Sequence, residues 1–346
     1  MSRTHAVTSL SFVLAAAAPL GLLVAGCDKD KPASTTTSAS SASASAASPA
    51  NPASASASAA PAAFGSAGSF AVKSVAAVTF GKETGLSTPE SVFYDEASDV
   101  YLVSNINGSP FEVDGNGFIS KLTPDGKVDT LKWIEGGKNK VTLNAPKGMA
   151  VANDMLYVAD LDTVRIFDRK TGAPTGEVKI PGATFLNDLT TAADGRVLVS
   201  DTGMKGGAKG FEPSGSDAVY AIDKAKKVTT IAKSKDLGGP NGLLAIGEKV
   251  WVGTSSELYS LDAKGKKGDA IKPPKGQLDG IVALPNGDIL VTSWESNTVY
   301  RGKPGGELTP LLEDVKSPAD IGYDKKRNRV VVPLFTENEV RAYDIK

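Results

Sequence analysis

The sequence predicts an all-β fold, a six-bladed β-propeller, over residues 70–346. Short runs of β-branched and aromatic residues recur through this region, separated by Gly, Asp, Asn and Pro, without a helical period. A related tripeptide precedes six of these runs, at intervals of 57, 40, 54, 38 and 40 residues. A period near 40 leaves room for four short antiparallel strands, which is typical of a propeller blade.

The six tripeptides mark where the innermost strand of each predicted blade begins. They are Pro89-Glu90-Ser91, Pro146-Lys147-Gly148, Leu186-Asn187-Asp188, Pro240-Asn241-Gly242, Leu278-Asp279-Gly280 and Pro318-Ala319-Asp320. In the second unit we predict strands over 148–151, 154–159, 163–168 and 175–180, from the inside outwards. Hairpin turns are indicated by Asp-Gly and Asn-Gly pairs, such as Asp125-Gly126.

Ring closure is predicted from the two ends of the repeat region. The sixth unit contains only three predicted strands, whereas an additional strand over 74–80 precedes the first tripeptide. We expect this strand to pair with residues 340–343 and to complete the sixth blade. Such a closure removes the open edges of the sheets.

Residues 1–69 have a different composition, which indicates export and anchoring. We interpret residues 1–26 as a signal peptide, because an apolar stretch ends at Leu23-Val24-Ala25-Gly26, which resembles a bacterial lipobox before Cys27. Cys27 is the only cysteine, so we expect it to be lipidated; an ordinary signal peptide with a chance cysteine is the alternative. Residues 27–69 then form a disordered Ala/Ser/Pro tether. The predicted location is the cell envelope, with the propeller held at a bacterial membrane, in the periplasm or outside the cell.

Charge and composition exclude several classes of function. The formal net charge is −1, which argues against a nucleic-acid-binding protein. The only histidine is His5, so the propeller region contains no imidazole and no thiol. A Ser-His-Asp triad and a zinc site of the usual kind are therefore excluded there. Any chemistry must use carboxylates, amides, hydroxyls and lysine, and a bound metal must be hard and oxygen-ligated.

The middle residues of the tripeptides predict a polar ring at one mouth of the central channel. The ring consists of Glu90, Lys147, Asn187, Asn241, Asp279 and Ala319. Two carboxylates and two amide oxygens can hold one divalent cation, with water as the remaining ligand. Asn-Gly and Asp-Gly are also ordinary turn dipeptides. Their recurrence at equivalent positions of the repeat is what favours a functional site.

The two longer units place additional residues on the same face, at 107–116 and 204–216. Long loops over the open end of a scaffold carry function or form a lid, although tolerated surface insertions are the alternative. Acids and one tryptophan near the ring are further candidates for the mouth: Asp188, Asp201, Trp294, Glu295 and Asp320. We interpret Asp160 and Asp162, at a neighbouring strand tip, as solvated turn residues.

This pattern resembles the regucalcin/gluconolactonase (senescence marker protein-like) family of six-bladed propellers. The similar segments are Thr88-Pro89-Glu90-Ser91-Val92, Leu186-Asn187-Asp188, Pro240-Asn241-Gly242-Leu243 and Leu278-Asp279-Gly280-Ile281. The resemblance implies one divalent cation, with calcium first and zinc or manganese as options, and hydrolysis of lactones. By this resemblance Glu90, Asn241 and Asp279 would be direct ligands. Asn187 would be a ligand or a substrate contact, and Asp279 would also be the catalytic base.

Two functions stay open at this point. One is a metal-dependent hydrolase of lactones or esters; the other is a non-catalytic, surface-anchored propeller that binds a small molecule or a protein through the same mouth. Lys147 departs from the family pattern. Its ammonium could pair with Glu90 or Asp279 and replace the metal, or bind a substrate carboxylate or oxyanion. With Lys147, the substrate-binding candidates are Asp188, Asp201, Trp294 and Asp320.

Overall fold

The computed structural model describes residues 78–80, 84–208 and 210–345. The strands of the first three blades and of an inserted hairpin are β2 (Pro89–Asp95), β3 (Val100–Asn105), β4 (Phe118–Leu122), β5 (Val128–Glu135), β6 (Pro146–Ala152), β7 (Met155–Asp160), β8 (Thr163–Asp168), β9 (Pro174–Lys179), β10 (Leu186–Thr191), β11 (Val197–Asp201), β12 (Met204–Gly207), β13 (Gly210–Pro213), β14 (Ala218–Ile222) and β15 (Val228–Lys233). The remaining elements are β1 (Val78–Phe80), a 3₁₀ helix (Lys235–Leu237), β16 (Leu243–Ile246), β17 (Lys249–Gly253), β18 (Leu258–Leu261), β19 (Leu278–Ala283), β20 (Ile289–Ser293), β21 (Thr298–Gly302), β22 (Leu308–Leu312), β23 (Gly322–Asp324), β24 (Arg329–Leu334) and β25 (Glu339–Asp344).

These strands form six antiparallel blades, as predicted. In order they are β2–β5, β6–β9, β10-β11-β14-β15, β16–β18, β19–β22 and β23–β25 with β1. In the fourth blade, single bridges from Leu258 to Ile271 and from Leu261 to Lys267 take the place of a regular outer strand. The hairpin β12–β13 is a separate two-stranded sheet inserted in the third blade.

The ring closes between the sixth and the first blade. Strand β1 pairs antiparallel with β25, with Val78 opposite Ala342 and Phe80 opposite Val340. Ring closure by an N-terminal strand is therefore confirmed for residues 78–80, while residues 74–77 lie outside the described residues.

The hydrophobic core is divided among the blade interfaces. Six clusters of buried apolar side chains lie between neighbouring blades, one at each of the six interfaces. Strand β11 is buried along its whole length, whereas the outer strand β9 is mostly exposed. A strand covered on both faces needs a continuous apolar run, which is why the second strands are the clearest in the sequence.

Pairing registers place the tripeptides and the long loops on one face. Pro146 at the start of β6 lies opposite Asp160 at the end of β7, and Leu186 of β10 lies opposite Asp201 of β11. The start of each innermost strand thus adjoins the connection from the second to the third strand. The two long connections, which follow Asn105 and Asp201, lie on this face, which we call the channel mouth. The opposite face, where the innermost strand turns into the second, we call the turn face.

The predicted signal peptide, the lipidation of Cys27 and the tether lie outside the described residues. Their boundaries at 26 and 69 stay predictions. Within the described ranges, no helix has the length and apolar character needed to cross a membrane.

Candidate functional site at the channel mouth

β-Bulges position four of the ring residues. In the first, second, third and fifth blades the innermost strand carries one residue more than its partner, within short unpaired segments that contain Glu90, Lys147, Asn187 and Asp279. A bulge interrupts the pairing and redirects the side chain, so that it leaves the plane of the blade. Glycine follows where the next blade approaches closely: a Cβ on Gly242 would lie 1.8 Å from the backbone oxygen of Asp279.

Three oxygen atoms of the ring are buried without a hydrogen-bond partner. They are Glu90 Oε2, Asn241 Oδ1 and Asp279 Oδ1. Among the described residues only two other buried side-chain atoms share this condition, so the unpaired oxygens are concentrated in the ring. A buried acceptor without a partner costs about 1–3 kcal/mol, and more if it is charged. A cation between these three oxygens would remove that cost.

The electrostatics of the ring also favour a cation. Burial and the nearby Asp279 raise the pKa of Glu90 well above its usual value. Burial and Asp320 raise the pKa of Asp279, against the opposing effect of the Trp294 indole N–H and the Asn241 side chain. Both carboxyls are almost completely shielded from solvent, with 5–6% of their surface exposed. Among the described residues neither carboxyl forms a direct ion pair, so a negative charge on either is poorly compensated.

Lys147 lies in the ring, and its ammonium group is held by a backbone oxygen and an aromatic ring. Nζ donates a hydrogen bond to the backbone oxygen of Ala145 at 3.0 Å and lies 4.3 Å from the ring centre of Phe185. No carboxylate oxygen of the described residues lies within 4 Å of it. Burial lowers the pKa of Lys147, while Glu90 and Asp160 oppose that shift. Among the described residues, Lys147 thus forms no direct ion pair with Glu90 or Asp279.

The two remaining ring positions complete the mouth. Asn187 donates through Nδ2 to Thr202 Oγ1 at 3.0 Å, and Thr202 donates to the Pro240 oxygen at 2.8 Å. This chain of bonds ties the third blade to the fourth beside Asn241. Ala319 is fully buried and adds no polar atom, so the sixth blade contributes no ligand.

Asp188 and Asp320 lie deeper, along the central channel. Both line a cavity of about 350 Å³ that is bordered by residues of all six blades. Asp188 accepts hydrogen bonds from the N–H groups of Leu189 and Leu243, both at 2.6 Å, and Asp320 accepts one from the Ser91 hydroxyl. Burial raises the pKa of both groups. These bonds connect neighbouring blades, which gives both acids a structural role.

The strand-tip candidates separate into two groups. Trp294 adjoins the ring, since its Nε1 donates to Asp279 Oδ2 at 2.7 Å. Asp201 is buried and accepts hydrogen bonds from the N–H groups of Thr184, Phe185 and Gly203. These bonds use both of its oxygens and leave its substrate-binding prediction without support. Glu295 is partly exposed and accepts a bond from the Gly276 N–H.

The interpretation of Asp160 as a solvated turn residue is wrong. Its side chain is fully buried and accepts hydrogen bonds from the N–H groups of Asn144 and Ala145 and from Arg165 Nε. The fold buries this acid because the segment before β6 crosses the end of β7 and needs an acceptor for its N–H groups. Asp162 is partly exposed and pairs with Lys179, as a surface turn residue does.

Sequence reasoning identified Trp294 but missed the phenylalanine side chains around the mouth. Phe111 and Phe211, one from each long connection, lie 4.7 Å apart between ring centres, and Phe111 lies 5.0 Å from Phe185. On the other side, Trp294 lies 5.1 Å from Phe335. A local signal existed only for Phe185, which lies two residues before Asn187. The other contacts join segments far apart in the chain.

Comparisons with known proteins agree with this geometry. The family model described as the SMP-30/Gluconolactonase/LRE-like region matches residues 88–321, which contain the whole ring. The chain belongs to this family. The family resemblance predicted from the ring is thus confirmed. No curated protein matches the chain in sequence.

Solved structures with the same fold include enzymes of two kinds. A gluconolactonase from Xanthomonas campestris superposes with a TM-score of 0.59 at 16% identity, over 78% of this chain and 89% of that one. A streptogramin B lyase gives 0.54 at 14% identity, over 78% and 97% of the two chains. A histidine-to-alanine variant of virginiamycin B lyase from Staphylococcus aureus gives 0.50 at 12% identity, over 78% and 98%. These likenesses concern the fold.

The donor set of the ring fits a hard divalent cation. Within the described part of the chain, no three His, Cys, Asp or Glu side chains form a metal-binding group. A cation in the ring would therefore depend on amide oxygens beside Glu90 and Asp279. Mixed carboxylate and amide oxygens are the ligands that calcium accepts readily. Asn241 Oδ1 is unpaired and supplies such an oxygen.

Proposed function

We propose that the protein is a divalent-cation-dependent hydrolase of lactones or esters that acts at the channel mouth. The observation that carries this proposal is the group of three unpaired, buried oxygens on Glu90, Asn241 and Asp279. Membership in the family and the likeness to a gluconolactonase support lactones as substrates. Calcium is the first candidate cation, and zinc or manganese are options.

The side chains of the ring have different roles in this proposal, namely cation binding and proton transfer. Glu90, Asn241 and Asp279 would hold the cation, with Asn187 beside them as a further ligand or a substrate contact. A bound divalent cation supplies carbonyl polarisation and a more acidic water. Asp279 would accept the proton of the attacking water while the new C–O bond forms. When the ring C–O bond breaks, this proton passes to the departing alkoxide, which leaves a hydroxy acid.

Trp294 prepares Asp279 for this role. Its indole N–H occupies Oδ2, so that Oδ1 is the oxygen left to face the cation or the proton. A base whose second oxygen is fixed by a neutral donor keeps its orientation without being neutralised by an ion pair. This arrangement is typical of a positioned general base.

Lyase chemistry of the kind found in a structural neighbour is less well supported. The virginiamycin B lyase variant in which alanine replaces a histidine is described as catalytically inactive. The only histidine of the present chain is His5, outside the propeller. A mechanism that needs an imidazole therefore has no group to perform it at this mouth.

The test is to measure hydrolysis and cation binding separately on the full chain. Hydrolysis of a panel of γ- and δ-lactones and aryl esters is measured after chelation and after adding calcium, zinc or manganese. Calorimetry with the cation alone measures binding. We expect activity that chelation abolishes and one cation restores, together with binding of one cation per chain. No activity with any cation would favour the non-catalytic, ligand-binding propeller.

Lys147→Met tests the alternative in which an ammonium replaces the cation. Removal of a positive charge near the ring should strengthen cation binding by at least about threefold, since the ammonium repels the cation across a poorly screened interior. Weaker binding in this variant would mean that Lys147 helps to build the site.

We also propose that the chain is anchored to a bacterial membrane through lipidated Cys27, with the propeller in the cell envelope. The support is the lipobox-like Leu23-Val24-Ala25-Gly26 before the only cysteine. Fractionation of cells that produce Cys27→Ser should show release from the membrane, because acyl chains provide the attachment. A variant that stays in the membrane fraction would overturn this proposal.

A further inference from the structure

Two groups of aromatic side chains lie at the channel mouth beside the unpaired oxygens. We call these oxygens the floor and the two aromatic groups the walls. The floor consists of the unpaired oxygens of Glu90, Asn241 and Asp279. One wall contains Phe185, Phe111 and Phe211; the other contains Trp294 and Phe335. Trp294 touches the floor directly through its bond to Asp279. Phe185 contacts the ring at another position, since the Lys147 ammonium lies 4.3 Å from the centre of its aromatic ring.

The phenylalanine wall is assembled from separate parts of the chain. Phe111 belongs to the long connection of the first blade, Phe211 to the inserted hairpin of the third blade, and Phe185 to the segment before β10. The rings contact each other at tilted or edge-to-face angles, with centres 4.7–6.0 Å apart. The two predicted loop insertions therefore bring an apolar surface to the mouth.

The hydroxyl groups near the mouth already bond to each other. Thr184 contacts both Ser214 and Ser216 at 2.7 Å, and Ser317 contacts Thr336 at 2.6 Å. The amide of Asn187 is occupied by Thr202. A substrate that carries many hydroxyl groups would have to replace these bonds, because it cannot hydrogen-bond to the phenylalanine rings. An apolar substituent gives up no hydrogen bond when it contacts the phenylalanine rings, and its transfer out of water is favourable.

We propose that the substrate is a lactone or ester with an apolar alkyl or aryl substituent, seated against the phenylalanine wall, and not a polyhydroxylated sugar lactone. The proposal rests on the proposed function, of which it names the substrate class. The reacting carbonyl lies at the oxygen floor, and the substituent extends along Phe111 and Phe211, which pack against the buried Phe185. Trp294 and Phe335 bound the other side.

The experiment compares δ-lactones that share one ring and differ in their side chain. The series runs from unsubstituted through methyl and propyl to pentyl, with glucono-δ-lactone as the polar counterpart. Each buried methylene should raise kcat/KM by roughly threefold to fourfold. The pentyl lactone should exceed the unsubstituted lactone by about 200-fold or more on the same basis, and it should be hydrolysed faster than glucono-δ-lactone. The matching alkyl δ-lactams, which resist hydrolysis, report binding alone by calorimetry.

A matched pair of protein variants tests where the alkyl substituent of the lactone binds. Phe211 and Ile246 each expose 37% of their surface, but Ile246 lies at the turn face. Phe211→Ala should flatten the dependence on chain length in both hydrolysis and lactam binding, whereas Ile246→Ala should leave it as in the wild type. An unchanged dependence in Phe211→Ala would overturn the placement of the substituent.

The two readouts keep this inference distinct from the proposed function. Hydrolysis that prefers glucono-δ-lactone and ignores chain length would overturn the inference and leave the hydrolase standing. Lactam affinity that rises with chain length, without hydrolysis of any lactone, would support the apolar site and refute the hydrolase. If neither hydrolysis nor lactam binding depends on the side chain, the apolar site is refuted.

Discussion

Acidic side chains at the two faces of the propeller have opposite surroundings. At the channel mouth Glu90 and Asp279 are buried, each keeps one oxygen without a partner, and burial raises the pKa of both. At the turn face Asp99 receives two hydrogen bonds from the Arg327 guanidinium, at 2.7 and 2.8 Å. These bonds, together with Lys326, hold the pKa of Asp99 well below its usual range.

The acids of the turn face join blades and turns. Arg327 also donates to the buried Asp324 at 2.8 Å, so one guanidinium connects the sixth blade with Asp99 of the first. Asp288 accepts hydrogen bonds from Arg301, Lys303 and Asn286 within its own blade. Every acid in these groups has its charge balanced by the chain itself.

The difference between paired and unpaired acids indicates which face of the propeller binds a ligand. Carboxylates balanced by arginine and lysine stabilise the structure and need nothing from outside. Glu90 and Asp279 are buried without such a partner and each keeps an unpaired oxygen, and perturbed acids of this kind cluster at functional sites. The acids Asp99, Asp324 and Asp288 are thus structural, whereas Glu90 and Asp279 of the ring point to chemistry.

The largest expected effect is on catalytic activity, when Asp279 of the channel mouth is neutralised and the result is compared with neutralisation of Asp288 at the turn face. Asp279→Asn should lower lactone or ester hydrolysis by about 10²–10⁴-fold, because a positioned base is lost. Cation affinity should fall as well, since one negative charge is removed. Asp288→Asn is the matched control and should keep activity within about twofold. Equal activity of Asp279→Asn and the wild type would show that Asp279 is not the base; thermal melts of both variants verify the fold.

The next effect concerns stability at the turn face. Arg327→Met should lower the free energy of unfolding by about 3 kcal/mol, because it leaves the fully buried Asp324 without its cation. Arg196→Met removes an exposed pair with Asp194 and should cost less than about 1 kcal/mol. Urea unfolding measures both. Equal losses would mean that burial of the acid does not decide the value of its ion pair.

The smallest effect is the pH dependence of one turn-face acid. Burial alone would raise the pKa of Asp288, but hydrogen bonds from Lys303, Arg301 and Asn286 outweigh it and lower the pKa to about 2. The ionised form therefore stabilises the folded state above the unfolded pKa, and this contribution is lost as pH falls from about 4 towards 2. Asp288→Asn should be less stable by about 1–2 kcal/mol at pH 7.

Urea unfolding of wild type and Asp288→Asn at pH 7, 4 and 3 checks this. The difference in stability should shrink between pH 4 and pH 3. A difference that stays constant over this range would mean that packing, and not charge, accounts for the loss.

The internal repeat of the sequence made most of the fold and the ring predictable. The recurring tripeptides define six innermost strands, and a blade of four short strands follows from their spacing. Equivalent positions in a circular repeat must lie at one radius and one height, so Glu90, Asn187, Asn241 and Asp279 are brought together by the repeat alone. The closing strand was predictable for a similar reason, because the sixth unit lacks an outer strand.

The surroundings of each ring residue were decided by contacts between blades. The sequence shows Lys147 in the ring but not that its ammonium turns to Ala145 and Phe185. It shows Asp160 in a turn but not that the preceding segment buries it. Phe111, Phe185 and Phe211 are 26 to 100 residues apart in sequence, and only loop closure over the mouth makes them one wall.

The sequence by itself therefore determined the blade count and the ring with its oxygen-bearing side chains, because strand alternation and repeat spacing are local and periodic. The tertiary structure alone decided which acids are paired, which oxygens are left without a partner and which aromatic rings surround them. Those features depend on distances of a few ångströms between side chains of different blades. No local pattern encodes such distances, since each is set by how two blades and their connecting loops pack against one another.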